Sequence, residues 1–380
     1  MGAAFGRGMD FRDLAQDEAR WITVKPNGQR AKGRPVLIDN TDGEVLGGMG
    51  GKHNGENISD VHDSDDRDYS VTKAKQETES QKQEAPKADE PETGSLKAMA
   101  PKIEKRYAEL LARPPSPPMV SSLYRYSKRW GDGIDLDRFE HDVRSAGDNS
   151  AINICASRMM GGDFHVDSDS EGTRDAALTL GRAFRKFGNV LMGTLYSIRT
   201  TEIDNSVTQG YFFYEPAAGI RIADITEEER EERESGAIFD GWSPPFDDNV
   251  SAMTIVISHE LGHAVEYALS QKLAQAVNES AGGFTVGYDR YYGAISEHIM
   301  KVVASRVAKK DADFSVQKWA DYVSGYGAWY LEEKKSCKEL FAEAFSEYLS
   351  SPTPRVVAST LGEVLDEWMS GNLNGFQVEK

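Results

Sequence analysis

A chain of 380 residues, 39% of them hydrophobic, can bury one large core with an appendage, or two domains. Its 62 acidic residues against 44 basic ones leave a formal net charge of −18, a field that repels phosphate backbones and argues against nucleic acid as a partner. The two cysteines, Cys155 and Cys337, lie far apart, which excludes a disulfide framework and a Cys-x-x-Cys metal pair and suits a reducing compartment.

The opening Met1-Gly2-Ala3-Ala4-Phe5-Gly6 lacks the apolar core of a signal peptide, and Gly6 stands where a myristoylation motif carries Ser or Thr. No apolar run of the roughly 18 residues that a membrane span needs is present. Neither a signal peptide nor a membrane segment is therefore expected.

Residues 1–60 are expected to form a small β-rich module. Trp21-Ile22-Thr23-Val24 alternates and stops at the turn dipeptide Asn27-Gly28, and Pro35-Val36-Leu37-Ile38 is a second apolar run ahead of Asp42-Gly43. The Gly-rich stretch 47–51 offers little to pack and reads as a flexible exit. Residues 61–103 are dominated by Asp, Glu, Lys, Gln, Ser and Pro, and such a segment cannot bury enough surface to offset its ordering entropy. This stretch is expected to be a disordered acidic linker.

Residues 104–380 are expected to form one mainly helical domain with a small β-sheet, an α+β fold. Helices are predicted at 102–112, 136–146 and 173–187, the first broken by Pro114-Pro115-Ser116-Pro117-Pro118. Strands are predicted from Val190 to Ile198, at Tyr211 to Tyr214 and at Gly219 to Ala223, the last two joined as a hairpin through Pro216-Ala217-Ala218-Gly219. The charge run Glu227 to Glu234 reads as an exposed helix or loop. Asp247-Asp248-Asn249 reads as the N-cap of a long helix from Val250 to about Gln271.

That long helix carries Ser258-His259-Glu260-Leu261-Gly262-His263. Histidines four apart on a helix place both imidazoles on one face, about one turn apart. Two nitrogens so placed can grip one Zn²⁺ at about 2.0–2.1 Å. Glu260, one step round the helix, is positioned to take a proton from a metal-activated water and pass it to a leaving amine. The spacing also excludes a metzincin, because Glu266 and Leu269 stand where that class needs Gly and His.

A third ligand from a downstream carboxylate is the alternative. The best source is the amphipathic helix predicted from Glu339 to Tyr348, whose Glu339, Glu343 and Glu347 share one face. His298 is a possible rival ligand. His53, His62, His141 and His165 have no partners at metal spacing.

The pairing of His-Glu-Leu-Gly-His with a later Glu-Leu-Phe-Ala-Glu-Ala-Phe resembles the gluzincin peptidases, and especially the anthrax lethal factor-like branch. The resemblance spans about 190–350. It implies a zincin fold, one catalytic Zn²⁺ per chain, Glu339 as third ligand and Glu343 close behind the metal site. It also implies that Tyr326, in Ser324-Gly325-Tyr326-Gly327, turns its hydroxyl toward the scissile carbonyl, where an oxyanion needs a donor. The gap from Tyr326 to Glu339 exceeds the family's usual spacing, so Tyr322 and Tyr330 stay rivals. The later hairpin strand, Gly219 to Ala223, would be the sheet edge to which an extended peptide adds.

Residues 21–28, 33–38 and 47–52 resemble a short module of phage and prophage head-morphogenesis proteins, often joined to a C-terminal enzymatic domain. The expected protein is thus a zinc endopeptidase acting on a protein or peptide substrate. Phage head or portal proteins are candidate partners, with a place in the host cytoplasm or on the virion. Two alternatives remain: a virion structural protein with a structural or vestigial metal site, and a delivered toxin or effector protease.

Overall fold

The computed structural model describes residues 93–113, 126, 134–203, 208–215, 217–246, 249–284 and 286–373, with the backbone of three short strands nearer the N-terminus. The chain divides into two units, Met1–Asp89 and Glu90–Lys380.

In the first unit β1 (Arg20–Ile22), β2 (Val36–Ile38) and β3 (Val45–Gly48) form an antiparallel sheet in that order. The register pairs Trp21 with Leu37 and Val36 with Gly48, and it shifts between Leu37 and Ile38. The first two strands fall on the two predicted apolar runs. The third reaches into the glycine-rich stretch, where only 45–48 are described.

The second unit opens with α1 (Thr93–Leu111). Residues 61–92 of the stretch expected to be unstructured lie outside the described residues, but 93–103 are helical, so folded structure begins ahead of the expected boundary at 104. Ile103, Tyr107, Leu110 and Leu111 are buried on one face, and a helix anchored on such a stripe propagates back toward its N-terminus. Two helices follow, α2 (Leu136–Ser145) and α3 (Asn149–Met160). Each starts on an aspartate whose side chain accepts a backbone N–H, Asp135 from Arg138 and Asp148 from Ala151. Sequence reading passed over α3, although Asp148 is an N-cap and Gly161 ends the helix in the left-handed region at φ 71°.

After β4 (Asp163–His165) comes α4 (Ser170–Leu191). Here the predicted strand from Val190 is wrong at its start. Ala183, Phe184, Phe187, Val190 and Leu191 continue a helical stripe and are all buried, so the helix claims the last two. β5 (Ser197–Thr201), β6 (Gly210–Phe213) and β7 (Gly219–Ala223) complete a mixed sheet of order β4-β5-β7-β6. β4, β5 and β7 are parallel, and β6 is antiparallel to β7. The hairpin is present, but its later strand is interior. β7 pairs with β5 on one side and β6 on the other, so the hairpin's edge strand is β6, and β4 is the opposite edge of the sheet.

α5 (Glu227–Phe239) is the charge run, and it is only partly solvated: Arg230 and Glu234 are buried. α6 (Ala252–Ala281) is the central helix, packed by α4, α10 and α1. Its N-cap is Ser251, which accepts the Thr254 N–H, rather than the Asp247-Asp248-Asn249 segment, of which the first two lie outside the described residues. It runs past Gln271 because Leu273, Ala274, Ala276 and Val277 stay buried, and it stops at Gly282. The remaining helices are α7 (Ala294–Lys310), α8 (Trp319–Tyr322), α9 (Gly325–Lys334), α10 (Lys338–Ser350) and α11 (Val356–Met369).

The unit is therefore mainly helical with one small mixed sheet, an α+β arrangement. None of the described helices is long and apolar enough to cross a membrane.

Candidate metal centre

The centre lies where α6 and α10 pack. Gly262 makes the approach possible: a Cβ there would sit 2.9 Å from Ala342 Cα and 3.3 Å from Phe345 Cβ. Leu340, Phe341, Ala344 and Phe345 of α10 are buried on the core side. That packing turns Glu339 and Glu343 toward the histidines of α6.

His259 Nε2 lies 3.1 Å and His263 Nε2 3.3 Å from the same oxygen, Glu339 Oε2. The ligand atoms of the three residues fall within 4.8 Å of one another, a group able to hold a metal ion. These separations are short enough for all three atoms to reach one ion. On its other nitrogen, His259 meets Glu343: Nδ1 lies 3.2 Å from Oε1. His263 Nδ1 has no hydrogen-bond partner.

The charges are tightly coupled. Burial opposes the imidazolium of His259, yet bonds to Glu339 and Glu343 hold its pKa well above the usual histidine value. His263 is also raised, burial being outweighed by Glu339. Burial likewise works against ionised Glu339, but His263 and His259 hold its carboxyl well below the usual range. Protons on the two histidines thus stand where a divalent cation would balance the carboxylates. Glu260, only 5% exposed, is raised chiefly by burial, and its Oε2 is unpartnered.

β6 passes directly over this helix face. A Cβ on Gly210 would meet Val256 Cγ1 at 3.1 Å and Glu260 Oε1 at 3.2 Å, so the strand edge can lie this close to Glu260 only without a side chain there. A cavity of about 420 Å³ opens beside His259 and Glu260, walled by β6, α5 and Tyr326.

Of the three candidate tyrosines, Tyr326 reaches the cavity, its ring centroid 6.4 Å from that of His259. Ser324 starts α9 by accepting the Gly327 N–H at 3.0 Å, and the Tyr326 N–H donates to the Trp242 carbonyl at 3.0 Å. Tyr322 is engaged elsewhere, donating to Asp311 at 2.8 Å. Tyr330 stacks edge-on against Tyr326 and does not line the cavity. His298 stacks on Trp368, and His141 and His165 are exposed. His53 and His62 lie outside the described residues.

Two other acids of the motif regions have structural duties. Glu266, buried, accepts N–H bonds from Gly293 (2.8 Å) and Ser296 (3.2 Å), capping α7, whose own N-cap offers no side chain. Glu347 shares the face of Glu339 and Glu343 but is held by Arg355, 2.7 Å from Oε2 to Nη2. Sequence reading missed Glu234, Gln209 and Tyr292. Tyr292 sits in an aromatic group with Phe212, Tyr214 and Tyr267, under Lys338 Nζ at 3.7 Å. The spacing of Glu227, Arg230 and Glu234 at i, i+3 and i+7 was the available sign that α5 turns one charged stripe inward.

Comparison with family models, curated proteins and solved structures finds no match for this chain.

Proposed function

We propose that this chain is a zinc-dependent endopeptidase of zincin type, binding one Zn²⁺ through His259, His263 and Glu339. The observation that carries the reading is the convergence of two imidazole nitrogens and one carboxylate oxygen beside the buried Glu260, whose Oε2 has no hydrogen-bond partner. The zinc, when bound, supplies Lewis acidity to a water and to a peptide carbonyl.

The chain's own residues do the rest. Glu343 fixes the ring of His259 through Nδ1. Glu260 accepts the proton of the attacking water and returns it to the leaving amine. Tyr326 donates a hydrogen bond to the carbonyl oxygen as negative charge develops there. The free edge of β6, beside Glu260, receives an extended peptide by strand addition, the role first expected of β7.

A purely structural metal would have no use for a carboxylate in the position of Glu260, and this favours catalysis. Joined to the head-morphogenesis-like N-terminal segment, the activity suits a phage or prophage protein that cleaves a head, portal or host protein, in the host cytoplasm or on the virion. A delivered toxin would share the chemistry. The test is mass spectrometry of products from virion and host lysates treated with the wild-type chain or with Glu260→Gln. New termini that depend on Glu260 support the reading. Identical product lists from the two proteins would contradict it.

A further inference from the structure

The cavity beside His259 and Glu260 has an aromatic rim. Trp242, in the turn that leaves α5, and Tyr326, in the first turn of α9, both line it. Their ring centroids lie 5.7 Å apart. Trp329, one turn further along α9, packs against both, 6.0 Å from Trp242 and 6.1 Å from Tyr326. Rings at such separations attract one another, offset or edge to face. Yet Trp242 is 45% exposed and Trp329 43%. Tryptophan is on average a well-buried residue, and adjoining exposed aromatics mark a surface that meets something else.

The backbone beneath these rings is held firmly. Gly325 N–H donates to the Gly241 carbonyl at 2.8 Å, and Tyr326 N–H to the Trp242 carbonyl at 3.0 Å. A Cβ on Gly325 would stand 2.8 Å from the Gly241 oxygen, so the two segments come this close only because position 325 has none. Gly241 turns the chain out of α5 in the left-handed region, at φ 71°. The aromatic surface is therefore in place before anything binds, and a preorganised surface loses little freedom on binding.

Its position says what covers it. Through Trp242 and Tyr326 the surface continues into the cavity that also holds Glu260 and Gly210 of the edge strand β6. Whatever lies against the exposed indoles thus lies beside the reacting centre. Ala237, Ile255 and Val256 add apolar lining next to the rings. We infer that Trp242 and Trp329, with Tyr326, form a subsite for an aromatic side chain of the peptide substrate. A flat ring can pack on the two indoles at the spacing they already keep with each other, and ring-on-ring contact adds to the gain from burial alone. The inference rests on the peptidase reading for the word substrate, but the preference for an aromatic ring can be measured without any cleavage.

The experiment titrates the full-length chain by NMR with two small probes, Nα-acetyl-phenylalanine N-methylamide and Nα-acetyl-alanine N-methylamide, which differ only by the phenyl ring. The phenylalanine probe should bind at least about ten-fold tighter than the alanine probe. It should also shift the indole N–H signals of Trp242 and Trp329, assigned through Trp242→Phe and Trp329→Phe. Trp329→Ala should reduce the preference to about three-fold or less, because half of the aromatic surface is gone. Trp242→Ala supplies the same test if Trp329→Ala does not fold. Equal binding of the two probes, or a preference that survives unchanged in the folded variants, overturns the inference. A wild-type dimer in sedimentation that either alanine substitution dissociates also overturns it, since a second copy would then cover the rings. Failure of the wild type to hydrolyse any protein counts against the peptidase reading and leaves these binding ratios as they are.

Discussion

Glu343 holds His259 from behind: its Oε1 lies 3.2 Å from Nδ1, on the side of the ring away from Nε2 and Glu339. A carboxylate in that place fixes ring orientation and raises ligand basicity. Glu343→Ala should therefore weaken metal binding about 10- to 100-fold, measured by competition with a chelator. Glu339→Ala should weaken it further, because it removes a donor. Full affinity in Glu339→Ala with a large loss in Glu343→Ala would move the ligand by one helical turn.

Metal affinity should rise with pH. In the metal-free chain His259 and His263 are raised, so they stabilise the fold below the unfolded histidine value and lose that contribution as pH climbs through their folded values. Glu339 is depressed, and its contribution is present above the unfolded carboxylate value and disappears in acid. A cation must displace the histidine protons, so its stabilisation should grow as pH rises through the neutral range toward the folded histidine values. Calorimetric melting of metal-free and metal-loaded protein checks this. A gap in Tm that stays constant across that range would contradict the coupling.

Much of this site was legible locally. The spacing of His259 and His263, the small Gly262 and the acidic face of Glu339 and Glu343 are helix-periodic features, and a helix repeats its own geometry. What escaped reading depends on partners distant in the chain. Strand order is one case: nothing in 219–223 reveals that β5 covers its far side, so the edge was assigned to β7 rather than β6. α5 is another, because its charges read as solvated until packing against α6 buries Arg230 and Glu234. Val190 and Leu191 are β-branched or apolar residues that suit either state, and only packing along α4 settles them.

Glu347 shows the same ambiguity, and it yields a stability prediction. It is 1% exposed, and Arg355 binds it through the backbone N–H (2.6 Å) as well as the guanidinium (2.7 Å). Arg355→Ala would strand a buried carboxylate, at a cost of about 3–5 kcal/mol. Denaturant unfolding should show that loss with the metal content of the folded protein unchanged. A loss below about 1 kcal/mol would mean that water replaces the arginine.

Tyr326→Phe removes one hydroxyl and little volume. With Tyr326 beside His259 in the cavity, kcat should fall at least about ten-fold while metal content and Tm stay near wild type. Tyr322→Phe should leave kcat unchanged, since that hydroxyl is committed to Asp311. The reverse pattern would place the donor at Tyr322 after all.

The most direct test pairs metal analysis with hydrolysis in one experiment. Protein purified without added metal should carry about one zinc per chain, or regain it on titration, in both the wild type and Glu260→Gln. The wild type should then cleave an unfolded protein substrate at least about 100 times faster than Glu260→Gln. Below about 0.1 zinc per chain, with none restored on titration, or equal cleavage by the two proteins, the account of this site as a zinc peptidase fails.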